Sequence, residues 1–122
     1  MTFYTLKVDT DSGGDGTGTF NGLYAKGYIE AIRLDFNASA DAGINVTITE
    51  PRGVVRTLLD INTSNTDATY HPRIQAQNTS GAGETEYSQR PYIETDNFLV
   101  TVDSAGAELT SAVTVIVQLI EV

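Results

Sequence analysis

Residues 112–122 read AVTVIVQLIEV. In an extended chain Val113, Val115, Val117 and Leu119 share one side, while Ala112, Ile116, Ile120 and Val122 share the other with Thr114 and Gln118. Period-two alternation rich in β-branched residues specifies a strand rather than a helix. A strand that is apolar on both sides is either covered twice or meets another subunit. Ile116 and Ile120 are therefore candidate partner-contact residues.

The same period recurs upstream. Tyr4, Leu6 and Val8 alternate with Thr5 and Lys7; Ile44, Val46 and Ile48 with Asn45, Thr47 and Thr49; Phe98, Val100 and Val102 with Leu99 and Thr101. Tyr28, Ile32, Leu34 and Phe36 share one parity, and Glu30 breaks it. Gly- and Pro-containing turns lie between the runs, with a tight hairpin expected at Pro51–Gly53. About eight or nine strands are expected, at 2–9, 19–25, 27–37, 43–50, 53–61, 68–77, 90–95, 97–103 and 110–122. Asn62 to Ala68 and Asn78 to Glu86 read as polar loops. Short, evenly spaced strands predict an all-β fold: an antiparallel β-sandwich or jelly roll, one domain over residues 1–122.

Bulk chemistry narrows the function. A chain of 122 residues, 40% hydrophobic, holds one core without needing a staple. It has no cysteine, which excludes disulfides, thiolate metal sites and thiol catalysis. A net charge of −9 argues against nucleic acid and against anionic membrane surfaces. The longest apolar-rich run, Ala112 to Ile120, is far short of the ~20 residues that cross a bilayer. The opening MTFYTLKVDT lacks the pattern of a signal peptide, so a cytosolic protein is expected.

DTDSGGDGTG at residues 9–18 places Asp9, Asp11 and Gly14 where a calcium loop wants them, but Gly13 and Phe20 stand where it needs ligands. The reading kept is a flexible Gly/Asp-rich loop, with a metal site at Asp9, Asp11 and Asp15 as the alternative. The same glycines lack the ending of a phosphate loop. His71, the sole histidine, reads as a strand residue. No catalytic residue and no cofactor site is assigned. Tyr24, Tyr70, Tyr87 and Tyr92 are candidates for a sugar-binding face if they cluster on one exposed surface. The sequons at Asn37, Asn45, Asn62 and Asn78 read as ordinary strand and loop chemistry. Arg73 and Arg90, each beside a proline in an acidic chain, are candidate partner contacts. Their alternative is a local ion pair.

From Ile44 onward the chain resembles the small all-β virion proteins of tailed bacteriophages. The resemblance rests on Thr47, Thr49, Pro51 and Gly53; on Tyr70, Pro72 and Arg73; on Pro91 and Tyr92; and on the closing strand Val113 to Val122. It implies a capsid decoration, or cement, protein: non-enzymatic, trimeric, bound to the major capsid protein and made in the host cytoplasm. It implies no nucleic acid, membrane or small-molecule substrate. A tail, neck or fibre-associated sandwich is the near alternative, and a carbohydrate-binding module the alternative of another class.

Overall fold

A computed structural model describes residues 2–19, 25–50, 56–77, 80, 83–95 and 98–121. Within them are eleven strands: β1 Thr2–Val8, β2 Gly16–Thr19, β3 Ala25–Phe36, β4 Asn45–Glu50, β5 Arg56–Ile61, β6 Ala68–Tyr70, β7 Ile74–Gln77, β8 Gly83–Gln89, β9 Tyr92–Thr95, β10 Leu99–Asp103 and β11 Val113–Glu121. Every pairing is antiparallel.

Two sheets form the sandwich. One runs β1-β11-β3-β6, with β9 also paired to β3; the other runs β2-β10-β4-β5. β6 pairs Leu34 to Ile32, and β9 continues along the same edge from Tyr28 to Ala25. They are two halves of one strand position, interrupted by residues 71–91, which carry the separate β7–β8 hairpin. With those halves merged and the hairpin set aside, eight positions remain, and the chain crosses from one sheet to the other at every step except the β4–β5 hairpin, as in a jelly roll.

The strands face inward where the alternation says. Val113, Val115, Val117 and Leu119 of β11, Val46 and Ile48 of β4, and Val100 and Val102 of β10 are buried, with Phe98 and Ile44 just outside their strands. They meet Val8, Ile32, Leu34 and Ile93 in one apolar core. Ile116 and Ile120 alternate with the core residues and lie half-buried on the outer side.

Several boundaries differ from expectation, each for a physical reason. The run at 68–77 splits at His71-Pro72-Arg73, because Pro72 has no N–H for a ladder. The polar stretch Asn78 to Glu86 is not all loop, since β8 begins at Gly83. The stretch 9–18 is not one loop either: Gly16–Thr19 pairs with β10 as β2. Of the strand expected at 19–25, Thr19 ends β2 and Ala25 begins β3; residues 20–24, Tyr24 included, lie outside the described residues, as does the Pro51–Gly53 turn.

The parity of β3 also changes. Gln118 pairs with Ala31 but Leu119 pairs with Ile29, so Glu30 is the extra residue of a β-bulge. Below the bulge the faces exchange. Ile29 enters the core, and Tyr28, expected inside, is 43% exposed on the outer face.

Candidate functional site

The bulge at Glu30 gathers the base of the hairpin insertion. Going in, Arg73 donates from Nη1 to the Glu30 carbonyl oxygen at 3.1 Å and to the Pro72 carbonyl at 2.8 Å. His71 Nδ1 lies 3.3 Å from the same Glu30 carbonyl and donates to it in the Nδ1–H tautomer. Coming out, the Ile29 amide donates to the Pro91 carbonyl at 2.9 Å. The Glu30 carboxylate accepts from Arg90 Nε and, at 3.4 Å, from Arg73 Nη2. A bulged residue is skipped by its neighbouring strand, which leaves its polar groups for other partners. Both arginines are thus placed together, by local ion pairing.

The hydrogen bond from Arg90, with the charges of Arg90 and Arg73 and the nearby His71, holds the Glu30 carboxyl below the usual glutamate range, against an opposing contribution from desolvation. A depressed folded pKa stabilises above the unfolded pKa and is lost as pH falls through the folded value. Acidification below the ordinary glutamate range is therefore expected to loosen the hairpin base first. Amide exchange should accelerate at Ile29, whose N–H donates to the Pro91 carbonyl, and at Gln89 of β8 before the core opens, and Glu30→Gln should show that fast exchange at neutral pH. Unchanged protection at those amides in Glu30→Gln would remove the clamp.

Beside this clamp a groove of about 470 Å³ opens on the outer face of the β1-β11-β3 sheet. Tyr28 of β3, Ile120 of β11, and Gln89 and Arg90 at the end of β8 line it. Tyr28 and Tyr92 pack edge to face, ring centroids 5.3 Å apart and planes at 64°. A second hollow of about 280 Å³ on that face is lined by Phe3, Ala31, Arg33, Thr69, Ile116 and Gln118. Phe3 is 62% exposed. Arg33 is tied to Asp35 at 2.9 Å and to the Thr69 hydroxyl at 3.2 Å. Three of the four expected partner residues, Arg90, Ile116 and Ile120, line these two hollows; Arg73 braces the clamp.

The acidic stretch behaves differently. The Asp9 carboxylate accepts the Ser111 amide at 2.7 Å, and Asp11 Oδ1 accepts the amides of Gly13 and Asp15 at 2.9 and 3.0 Å. Asp15 accepts the Ser104 amide at 3.4 Å. Residues 9–15 are a bend held by its own carboxylates, and among the described residues no group of three or more acids or histidines is arranged to hold a metal. Asp11, Asp15 and Asp103 do line a hollow of about 390 Å³, but Asp103 Oδ1 itself accepts from the Asn45 side-chain Nδ2 at 2.6 Å.

Among the described side chains, Tyr70 and Tyr92 share no platform. Tyr70 pairs with the buried Ile32 and packs on the core, whereas Tyr92 lies against Tyr28 on the outer face. Tyr87 lies on β8 of the hairpin. Sequence reading missed Phe3, Tyr28 and Gln89. The signal for Tyr28 was the misfit Glu30, because an acid at core parity followed by a return of apolar residues marks a bulge. Comparison of the chain with known protein families, with curated proteins and with solved structures returned no match.

Proposed function

We propose that this chain is a non-enzymatic structural protein of a tailed-phage virion, which decorates the outer surface of the capsid as a homotrimer. The observation that carries the reading is the outer face of the β1-β11-β3 sheet, where Phe3, Tyr28, Ile116 and Ile120 stand together beside Arg90. A monomer rarely keeps such a face open unless it is a contact surface. In this reading the Phe3–Ile116 end meets sister copies and the Tyr28–Arg90 end meets the major capsid protein. A subunit that binds only the assembled shell stabilises it by mass action. Three linked copies add avidity. The opposite facing of Tyr70 and Tyr92 weighs against a carbohydrate-binding module.

The test is co-sedimentation with separated heads and tails of the phage that encodes the chain. The chain should pellet with heads. Ile116→Glu, at the contact between sister copies, should weaken pelleting by roughly a hundredfold or more, the loss expected when linked copies become single ones. Pelleting with tails would move it to the tail-associated class, and retention in the supernatant with both would remove the virion role.

A further inference from the structure

We infer that the β7–β8 hairpin is an arm that joins copies of this chain: the open edge of β8 pairs with the open edge of β1 in the next copy and carries the β1-β11-β3 sheet across the subunit boundary. The inference rests on the proposed homotrimer and names how its copies are joined.

The hairpin takes no part in the sandwich of its own chain. β7 and β8 form a separate two-stranded sheet, and among the described residues β8 pairs with β7 alone. Ile74, the described apolar side chain at its base, is 37% exposed. A lone two-stranded hairpin is marginal in water. Its root is nevertheless fastened at the Glu30 bulge by Arg73, by Arg90 and by the Ile29 amide. A fixed root under an unsupported ladder presents the seven residues of β8, Gly83–Gln89, with one edge unpaired. Such an edge is a template for a strand of another chain.

β1 is the edge that fits it. Thr2–Val8 is also seven residues long, and its register with β11 runs without a shift. Among the described residues its ladder pairs with β11 alone. β2 packs on β1 from the other sheet, where a Cβ on Gly18 would lie 3.2 and 3.1 Å from the side chains of Leu6 and Val8. The other edges are poorer: β5 bulges at Leu58, β2 has four residues, and β6 and β9 have three and four. Charge agrees in sign. β8 carries Glu84 and Glu86 and no cation, β1 carries Lys7 and no acid, and β5 mixes Arg56 with Asp60. Topology makes the contact one between copies. The hairpin leaves the sheet at the edge formed by β6 and β9, and β1 is the opposite edge. A donor on one edge and an acceptor on the other give a head-to-tail contact, which closes as a ring or runs on as a filament.

The experiment is amide hydrogen exchange on the full chain over a range of concentrations, beside light scattering. In an antiparallel edge strand every second amide points away from the paired neighbour. Those amides of β1 and of β8 should slow together as copies assemble, roughly a hundredfold at about a hundred times the concentration of half-assembly. The outward amides of β5 should not change. Single-cysteine variants then identify the partners, because the chain has no cysteine of its own. Thr5→Cys and Thr85→Cys, refolded together, should be joined by a short bis-maleimide into a two-chain species, whereas Thr57→Cys and Thr85→Cys should not. Assembly with the β1 or β8 amides unchanged, or with Thr5→Cys bridging only to itself, would overturn the arm and leave the trimer standing. Slowed β1 and β8 amides in a mass that climbs without limit would keep the arm and remove the trimer. A chain that stays monomeric at every concentration would overturn both.

Discussion

Phe98→Ala is expected to lower unfolding free energy by about 3–5 kcal/mol, the usual loss when a large buried aromatic is truncated. Phe98 is 1% exposed and is the bulkiest of the buried core side chains. It immediately precedes β10, where Val100 and Val102 carry the same inward parity. Truncation removes the ring's transfer free energy and leaves a void that two hydrogen-bonded sheets cannot close without breaking their ladders. A domain of this kind has only about 5–15 kcal/mol in total. The urea midpoint should therefore fall by about a fifth or more at unchanged slope, a proportion that follows from linear extrapolation. A loss under about 1.5 kcal/mol would mean that the sheets slide together to fill the space, and that the core is less tightly specified than its burial indicates.

Gly27→Ala is expected to be nearly as costly, by a different mechanism. Gly27 sits in β3 at φ +150°, opposite Glu121 of β11. A Cβ there would come within 2.2 Å of the Ile120 carbonyl oxygen and 3.0 Å of the Glu121 Cα. Both neighbours are backbone, so relief requires β11 to move. Strain at such a φ costs about 1–3 kcal/mol, and overpacking adds a similar amount. About 3 kcal/mol is expected in urea unfolding, with fast amide exchange centred on Tyr28 and Ile120. Gly43→Ala is the control: its Cβ would meet only the Asp41 carboxylate, at 3.1 Å, which can turn away. It should cost less than about 1 kcal/mol. Equal losses at the two glycines would show that the close approach of β3 and β11 contributes nothing special.

Much of the fold is legible because one physical rule governs it. Where a strand is regular and one face is buried, alternation alone places Val113 to Leu119, Val100 and Val102, and Val46 and Ile48 in the core. The rule fails where the ladder does. Glu30 bulges out and exchanges the faces of β3, so Tyr28 leaves the core for the groove. His71-Pro72-Arg73 halts one edge strand, which resumes as β9 only after the hairpin. Gly16–Thr19 has almost no side-chain pattern to read, yet its backbone completes the edge of the second sheet beside β10. β8 is equally silent: apart from Tyr87 its sequence is polar or glycine, and among the described residues it pairs with β7 alone.

The site was legible in pieces. Arg73 and Arg90 were visible as unusual cations, but 17 positions apart, and nothing in the spacing shows that both reach Glu30. That convergence belongs to the bulge. Asp9, Asp11 and Asp15 drew attention as ligands, whereas Asp9 and Asp15 accept the distant amides of Ser111 and Ser104 and Asp11 accepts amides of its own bend, a role that composition cannot reveal.

The central claim is that the outer face of the β1-β11-β3 sheet is a contact surface, and the solution mass of the full chain tests it most directly. Light scattering should give three times 13.1 kDa for the unaltered chain, falling to 13.1 kDa in Ile116→Glu with the unfolding midpoint of the isolated subunit preserved. A mass of 13.1 kDa for the unaltered chain at every concentration, or a trimer that Ile116→Glu leaves intact, would contradict it.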